Sequence, residues 1–257
     1  MRYRRYKSEL EYSYALGMAP VMELIDRRPE SVLAVCVHPD YKAGSGVSIF
    51  DICQSRGLRC ETDVKPFNIA ADKANIFVIA VFDKWNTPLS PLRPHAVFVN
   101  PADAGNLGSN LRTCLGFGFR DVAIIKPGAD VYSPKAVRAS MGAVFHINTS
   151  GFSSYDGYAA SFPEHMKYCF MLDGKTALND VVPPGDGRFS LVFGNEATGL
   201  PDEYQKYGQS VRIPHSGAID SLNLSVAAGI AMYTFVAGIS CCNRNKIESK
   251  NNTIITK

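Results

Sequence analysis

From residue 95 onward, short apolar runs alternate with segments of helical periodicity, and this alternation restricts the possible folds more than any other feature of the chain. Strands are predicted at residues 95–99, 122–126, 168–172, 190–193 and 210–213, and helices at residues 107–117 and 222–239. Strands that alternate with helices form a mainly parallel sheet that is covered on both faces. The sequence therefore predicts an α/β fold for this part of the chain.

The first 85 residues have a pattern of their own and are predicted to form a separate, small α/β domain. Helical periodicity marks residues 18–27 and 47–56, whereas β-rich apolar runs mark residues 32–37 and 76–82. The two kinds of segment alternate here as well, so the domain is expected to contain both helices and strands.

Three prolines within residues 86–94 separate this domain from the alternating region. Proline excludes a helix interior and removes a donor from a strand ladder, so these residues are predicted to be an interdomain linker. The second domain is predicted to span residues 95–240. The polar residues 241–257 are predicted to be a disordered tail.

The composition is that of a soluble globular protein, with 46% hydrophobic and 20% charged residues and a net charge of +3. Basic residues crowd the N-terminus, with Tyr3 and Tyr6 between them. Those basic residues are Arg2, Arg4, Arg5 and Lys7. Such a segment suits contact with RNA phosphates together with base stacking, and a frayed, solvated terminus is the alternative.

Cysteine usage and the distribution of charge bear on the compartment. The seven cysteines form no Cys-x-x-Cys pair and the five histidines lie far apart, which disfavours a disulfide framework and a metal site and favours a reducing, cytoplasmic compartment. No signal peptide is expected, because the first residues are charged and no apolar core follows them. Residues 226–242 approach the ~20 residues of a membrane span but are rich in Ala, Gly and Ser. A helix in a core or a subunit interface is therefore predicted in place of a membrane segment.

The first of three motifs that suit a functional site contains Asn106, Gly108 and Arg112, and it is predicted to be a loop that runs into a helix. Gly108 would allow close approach of the backbone to a ligand or another turn. Arg112 would point back across the start of the helix, where its guanidinium could bind a phosphate in a bidentate manner. The alternative is a salt bridge with a nearby carboxylate.

The second and third motifs follow two of the predicted strands. Gly194 and Gly199 flank Asn195 and Glu196 directly after the strand at residues 190–193, and the carboxyl end of a strand is the favoured ligand edge of an α/β sheet. The third motif has two parts, Ile213-Pro214 at the end of the next strand and Ser221-Leu222-Asn223 at the start of the long helix. Asp220 or Ser221 is the expected N-cap of that helix.

Together the three motifs closely resemble those of the SpoU (TrmH-type) family of S-adenosylmethionine-dependent RNA ribose 2′-O-methyltransferases, within the SPOUT superfamily. The resemblance covers about residues 95–240. The residues that match are Asn106, Gly108 and Arg112, then Gly194, Glu196, Gly199 and Leu200, and then Ile213, Pro214, Ser221, Leu222, Asn223 and Ser225. The segment from Arg138 to Gly142 also resembles a stretch between the first two motifs. His215 is a departure, because many members have an apolar residue there.

The resemblance implies a C-terminal domain whose mainly parallel sheet contains a trefoil knot, and a homodimer in which the apolar C-terminal helix contributes to the interface. Residues 1–85 look similar to the small ribosomal-protein-like RNA-binding domain that precedes the catalytic domain in members acting on ribosomal RNA. Ribosomal RNA is therefore the favoured substrate, with transfer RNA as the alternative. A non-catalytic RNA-binding protein that keeps the fold is the rival from another class. A nucleotide-dependent oxidoreductase is disfavoured, because Gly116 and Gly118 are followed by Asp121 where a dinucleotide fingerprint needs glycine.

The resemblance also assigns roles to residues. The implied catalytic residues are Asn106, Arg112, Glu196, Ser221 and Asn223. The implied S-adenosylmethionine-binding residues are Leu172, Gly194, Asn195, Gly199, Ile213, Pro214 and Leu222. Arg138 joins the N-terminal basic residues as a predicted RNA contact. Arginine is the residue usually credited with activating the ribose hydroxyl, yet a guanidinium with a pKa above ~12 is a poor base at neutral pH. Arg112 is therefore expected to bind the adjacent phosphate and stabilise developing charge on the hydroxyl oxygen, with Ser221 as a proton relay.

Overall fold

The computed structural model describes residues 3–44, 46–70 and 75–254, with side chains as far as residue 239. The strands are β1 (Tyr12–Leu16), β2 (Val32–Val37), β3 (Cys60–Thr62), β4 (Val78–Asp83), β5 (His95–Val99), β6 (Asp121–Ile125), β7 (Asn148–Phe152), β8 (Met166–Phe170), β9 (Thr176–Ala177), β10 (Phe189–Phe193) and β11 (Gln209–Arg212). The α-helices are α1 (Met18–Arg27), α2 (Ile49–Ser55), α3 (Lys65–Ala70), α4 (Ala104–Gly116), α5 (Pro134–Ala139), α6 (Tyr155–Ser161) and α7 (Leu224–Ile254). Short 3-10 turns occupy Pro29–Ser31, Ala143–His146, Leu178–Asp180 and Asp202–Lys206.

The described residues divide into two compact units, and each unit is built from several stretches of chain. The first unit draws on Met1–Thr87, Asp103–Arg112 and Ala129–Ile147, and the second on Pro88–Ala102, Thr113–Gly128 and Asn148–Lys257. The predicted domain scheme places residues 95–240 in one domain, whereas two stretches of that region group here with the N-terminal residues. The functional domain boundaries stay a prediction.

The first unit contains a four-stranded sheet in the order β1-β4-β2-β3. Strands β1 and β2 both pair antiparallel with β4, and β3 pairs parallel with β2. Helix α1 buries Val21, Leu24 and Ile25, whose spacing places them on one helical face. This spacing turns the apolar side chains toward the core. Residues 18–27 therefore form a helix, as predicted.

The second unit contains a seven-stranded sheet in the order β7-β6-β5-β10-β8-β11-β9, and all of its pairs are parallel. Every residue of β5, β6 and β10 is buried, as expected for the centre of a parallel sheet. The prediction of an α/β fold with a mainly parallel sheet is confirmed. The trefoil knot stays a prediction.

The predicted linker is fastened to the second unit over its C-terminal half. The Ser90 N–H donates to Asp121 Oδ1 at 3.0 Å, and the Ser90 carbonyl accepts from His95 Nε2 at 2.8 Å. The Pro91 carbonyl accepts from His165 Nε2 at 3.0 Å, and Arg93 lies 2.9 Å from the Asp121 carboxylate. The prolines do exclude regular structure here, but residues 90–93 are an anchored segment and not a free connector.

Helix α7 begins two residues later and ends later than predicted. Asn223 caps it, since its Oδ1 accepts from the Ser225 N–H at 2.9 Å and its carbonyl accepts from the Ala227 N–H. The expected N-cap, Asp220 or Ser221, was therefore wrong. The helix continues to Ile254, because no glycine or proline interrupts the chain after Gly238, and the predicted disordered tail overlaps its last turns. Within the described residues, no helix is long and apolar enough to cross a membrane.

Candidate active site

A pocket of about 320 Å³ lies in the second unit, at the carboxyl ends of β8, β10 and β11. These three strands are neighbours in the sheet, so the loops that follow them meet at one edge. The predicted site residues that line the pocket are Leu172, Gly194, Asn195, Glu196, Gly199, Ile213, Ser221 and Leu222. The fold thus joins the second and third motifs in one cavity. Pro214 and Asn223, which were also predicted, adjoin these residues in the sequence but are not part of the described lining.

The spacing of the two glycines in the second motif follows from a closed turn. Asn195 and Gly199 form an isolated antiparallel bridge, with hydrogen bonds of 3.2 and 2.9 Å between their backbones. A Cβ on Gly194 would lie 2.1 Å from the Gly199 carbonyl carbon, so no larger residue fits there. Gly199 has φ of +67°, in the left-handed region that favours glycine. Both glycines are required by the turn itself.

The polar side chains of this turn reach the loop that follows β5. Glu196 Oε2 accepts from the Ala102 N–H at 3.0 Å, and Asn195 Nδ2 donates to the Asn100 carbonyl at 2.7 Å. Both bonds join a side chain of the turn to a backbone group of the loop, within the second unit. The second motif therefore shapes a neighbouring loop as well as the pocket wall.

The lining of the pocket suits a flat, positively charged ligand. The rings of Phe170 and Phe193 stack 4.8 Å apart at an interplanar angle of 17°, and both line the pocket. The charged side chains of the described lining are the carboxylates of Asp173, Glu196 and Asp202, with neither lysine nor arginine among them. Apolar walls suit a purine ring, and carboxylates attract a sulfonium or ammonium group. The residues present therefore fit S-adenosylmethionine.

His215 lines the same pocket beside the third motif. Its Nδ1–H donates to the Ile213 carbonyl at 2.9 Å, because a carbonyl can only accept. That bond fixes the tautomer, so the neutral ring has its lone pair on Nε2. The residue that departs from the family pattern therefore presents a polar group at the pocket.

The whole of the first motif lies inside a helix that begins three residues before the predicted helix at residues 107–117, so the loop predicted at Asn106 was wrong. Helix α4 already begins at Ala104, and Asp103 Oδ1 accepts from the Asn106 N–H at 2.8 Å near its start. A Cβ on Gly108 would lie 2.4 Å from the Ala136 carbonyl oxygen, so Gly108 permits close packing of α4 against α5. The Lys135 ammonium, hydrogen-bonded to Asp103, holds the pKa of that carboxyl below its ordinary value.

Arg112 lies more than two turns into α4, deeper than predicted, and its side chain is exposed. In the part of the chain that the structure describes, no carboxylate forms an ion pair with it. The salt-bridge alternative thus finds no support. Asn106 and Arg112 belong to the first unit, whereas the residues of the pocket belong to the second.

Most of the predicted methyltransferase region matches one known family. Residues 93–233 match the profile of the SpoU rRNA Methylase family. The chain belongs to the SpoU family.

Relatives and solved structures agree with this assignment. A 23S rRNA (adenosine(1067)-2′-O)-methyltransferase from Streptomyces laurentii is 33% identical over 133 residues, covering 50% of this chain and 48% of that protein. The 23S rRNA (guanosine(2553)-2′-O)-methyltransferase RlmP of Bacillus subtilis is 30% identical over 136 residues, covering 51% and 53%. The chain spans about half the length of these curated relatives. The SpoU methyltransferase AviRb from Streptomyces viridochromogenes, solved with AdoMet, shares the fold with a TM-score of 0.74 at 21% identity, covering 88% and 90% of the two chains.

In this SpoU family member, the two N-terminal tyrosines are half-buried and hydrogen-bonded within the first unit. The Tyr6 hydroxyl donates to the Asp130 carboxylate and the Tyr3 hydroxyl donates to Glu61, while both rings pack against the core of the first unit. Burial, and then the bond to Asp130, raise the pKa of Tyr6. The frayed-terminus alternative is therefore wrong for these residues, and base stacking on RNA stays a prediction.

The predicted basic RNA contacts are exposed where the structure describes them. Arg4, Arg5 and Lys7 are exposed next to the anchored tyrosines, and Arg138 is exposed in the last turn of α5. Arg2 lies outside the described residues. Sequence reasoning missed Phe170, Phe193, Asp173 and Asp202 as pocket residues. The position of Phe170 and Phe193 at strand ends could have indicated the aromatic pair. Asp173 and Asp202 reach the pocket through the path of their loops, which the neighbouring residues in the sequence do not reveal.

Proposed function

We propose that this SpoU family member is an S-adenosylmethionine-dependent RNA 2′-O-methyltransferase that acts on ribosomal RNA. The observation that carries the proposal is the pocket, which joins the second and third motifs at the ends of three neighbouring parallel strands. The names of the 23S rRNA 2′-O-methyltransferase relatives support the reaction and the substrate class.

The pocket residues hold and orient the cofactor in this proposal. Backbone groups near Gly194, Ile213 and Leu222 bind the adenosyl group, and Phe170 and Phe193 form its apolar wall. S-adenosylmethionine supplies a methyl group that its sulfonium has already activated. The protein therefore needs only to align the ribose hydroxyl for in-line attack and to accept its proton.

Arg112 and Ser221 have separate tasks in the transfer step. The Arg112 guanidinium binds the phosphate next to the target ribose and stabilises negative charge that develops on the 2′-oxygen. Ser221, at the pocket wall and exposed, relays the proton from the 2′-hydroxyl to solvent water, because its own hydroxyl both donates and accepts. Asn106, Glu196 and Asn223 orient the groups that surround the reacting atoms.

Substrate binding uses the first unit and its exposed basic residues. Arg4, Arg5, Lys7 and Arg138 contact RNA phosphates, and residues 1–85 act as the RNA-binding domain. Such contacts place structured RNA and carry little sequence information. The free cysteines of the described chain agree with a reducing, cytoplasmic location.

A homodimer is part of the proposal, with α7 at its interface. Val226, Ile230, Tyr233 and Val236 recur every three or four residues along α7 and are 37–63% exposed. A continuous apolar stripe on one helix face suits burial against a second copy of the same helix.

The first experiment measures transfer of labelled methyl groups from S-adenosylmethionine to ribosomal and transfer RNA fractions, with Arg112→Ala as the control. Label that appears in ribosomal RNA, is lost in the variant and is recovered as a 2′-O-methylated nucleoside supports the proposal. Label confined to transfer RNA supports the alternative substrate. Cofactor binding without transfer to either pool would contradict the enzymatic proposal and favour a non-catalytic RNA-binding protein.

A further inference from the structure

We propose that Asn195 is a positioning residue, whose amide clips the loop at residues 100–102 onto the turn of the second motif and so fixes the entry to helix α4. The inference rests on the proposed function. It replaces the cofactor-binding role that the family resemblance implies for Asn195.

The hydrogen bonds of Asn195 leave it little capacity for a cofactor. Its Oδ1 accepts from the N–H groups of Ala197 at 2.9 Å and Thr198 at 3.3 Å, which uses both lone pairs of the oxygen. Its Nδ2 donates to the Asn100 carbonyl at 2.7 Å. One N–H therefore remains, and the side chain is committed on one side to its own turn and on the other to the loop after β5.

The side chain of Asn195 binds the backbone at Asn100, whose conformation must be enforced by its surroundings. Asn100 has φ of +49°, in the left-handed region, and follows the last residue of β5. Its N–H donates to the Ile125 carbonyl at 3.0 Å, which ties it to the end of β6. Non-glycine residues adopt this conformation where their surroundings enforce it. The bond to Ile125 orients the peptide before Asn100, and the bond from Asn195 to the Asn100 carbonyl orients the peptide after it.

Glu196 adds a second attachment two residues further on, where its Oε2 accepts from the Ala102 N–H at 3.0 Å. Two adjacent side chains of one turn thus bind two backbone groups of one loop. The chain then passes from Ala102 through Asp103 into α4, which carries Asn106 and Arg112. Because a misplacement of about 1 Å at a reacting group can lower the rate ~100-fold, this clip controls transfer more than cofactor affinity.

The test is Asn195→Asp, which removes the amide donor to the Asn100 carbonyl and adds one negative charge to the pocket lining. Aspartate keeps the Oδ1 acceptor for the turn but presents an oxygen to the Asn100 carbonyl where the amide donated. We expect the single-turnover rate of methyl transfer to fall ~10- to 100-fold. The dissociation constant of S-adenosylmethionine should not rise more than about twofold, since the turn is intact and an added carboxylate attracts the sulfonium. Asn179→Asp, an exposed change of the same chemistry in the second unit, should match the wild type.

Two further readouts separate positioning from general loss of structure. Amide hydrogen exchange at residues 100–104 should quicken in folded Asn195→Asp relative to wild type. The ratio of variant to wild-type rates should rise as the pH falls, because protonation of the introduced carboxylate restores a donor toward the carbonyl. These two effects would not accompany a merely destabilised fold.

Three results would overturn the inference. They are a wild-type rate in Asn195→Asp, a loss of S-adenosylmethionine affinity that accounts for the whole loss of rate, and unchanged exchange at residues 100–104. Failure of the proposed function looks different, because then the wild type itself binds the cofactor but transfers no methyl to any RNA. In that case the positioning role falls together with the reaction it serves.

Discussion

Asp121 Oδ2 lies 2.9 Å from Arg93 Nε, with the carboxylate fully buried and the guanidinium about half-exposed. Arg93 Nη2 donates a long hydrogen bond of 3.5 Å to Asp121 Oδ1, whereas Asp121 Oδ2 is at ion-pair distance from Nε without the alignment of a hydrogen bond. Asp121 Oδ1 accepts from the Ser90 N–H at 3.0 Å and from Asn148 Nδ2 at 3.1 Å. The buried Asp121 carboxylate therefore anchors the predicted linker to β6 and β7.

Removal of this carboxylate should destabilise the protein. We expect Asp121→Ala to lower the free energy of unfolding by about 3 kcal/mol, because it leaves a partly buried N–H and a partly buried amide without an acceptor. Arg93→Ala should lower it by less than about 1 kcal/mol, since that side chain is half-exposed to water. Urea denaturation measures both. Equal effects of the two variants would contradict a dominant role for the buried acceptor.

Stability should fall with acid because two histidines are buried in neutral form. Burial lowers the pKa of His95 to about 4 and lowers that of His165, while an unfolded chain takes up the proton near ~6.5. The unfolded state therefore binds more protons between pH 6.5 and 4, and stability rises with pH across that window. His95 alone should account for a loss of about 2 kcal/mol between pH 7 and pH 5.

Denaturant unfolding at pH 7 and pH 5 checks this dependence. A His95→Asn variant is the control, because it keeps a donor but does not titrate, so its stability should change less between the two pH values. The other charged groups near the two histidines are those of Arg93, Asp121, Lys167 and Arg188. A wild-type protein equally stable at both pH values would rule out the buried neutral state.

Arg112→Ala should nearly abolish methyl transfer and leave the affinity for S-adenosylmethionine within a few-fold. The reason is that the guanidinium acts on the RNA phosphate and the developing charge, not on the cofactor. Arg112→Lys should restore little activity, since a point charge does not reproduce the bidentate fork. Single-turnover transfer and equilibrium cofactor binding are the measurements. A large loss of cofactor affinity in Arg112→Ala would contradict this role.

Asn110 should be replaceable by leucine with a gain in stability. It is fully buried in α4, and neither Oδ1 nor Nδ2 has a hydrogen-bond partner within the described residues. A buried polar group without a partner lowers stability by about 1–3 kcal/mol, so Asn110→Leu should raise the melting temperature. Asn110→Asp should lower it, because burial of a charge is worse still. Calorimetry on the three proteins decides the sign.

The proposed dimer should dissociate when a charge enters the exposed stripe of α7. Tyr233→Glu places a carboxylate at its most exposed residue and should convert the dimer to a monomer. Leu92→Glu, at a position that is 69% exposed elsewhere in the second unit, should leave the oligomeric state unchanged. Light scattering after size exclusion gives the mass. A monomeric wild type would contradict the dimer proposal directly.

The local sequence pattern predicted buried strands but missed a strand at the edge of the seven-stranded sheet. The strands predicted at residues 32–37 and 95–99 agree with β2 and β5 residue for residue, since both are runs of β-branched and apolar side chains. Strand β7, with the sequence NTSGF at one edge of the sheet, has little apolar content and was not predicted. Pairing along β6 makes it a strand, and that partner is not visible in its own residues.

The candidate site divides in the same way. The residue types and order of the motifs identified the pocket lining, because glycines and polar groups after buried strands mark a ligand edge. The helical setting of Asn106 was missed, because asparagine and glycine both disfavour helices, and close packing of Gly108 against α5 offsets that preference. The anchored linker was missed because its partners, Asp121 and His165, are distant in sequence.

The position of β10 in the sheet also governs the order in which the chain can assemble. His95 in β5 pairs with Ser190 in β10, nearly a hundred residues later. During synthesis, β5 leaves the ribosome long before β10. The edge of β5 that pairs with β10 therefore stays unpaired until β10 has been synthesised. Such distant pairings slow folding and leave apolar strands open to aggregation. The protein should therefore depend on chaperones more than its size alone would suggest.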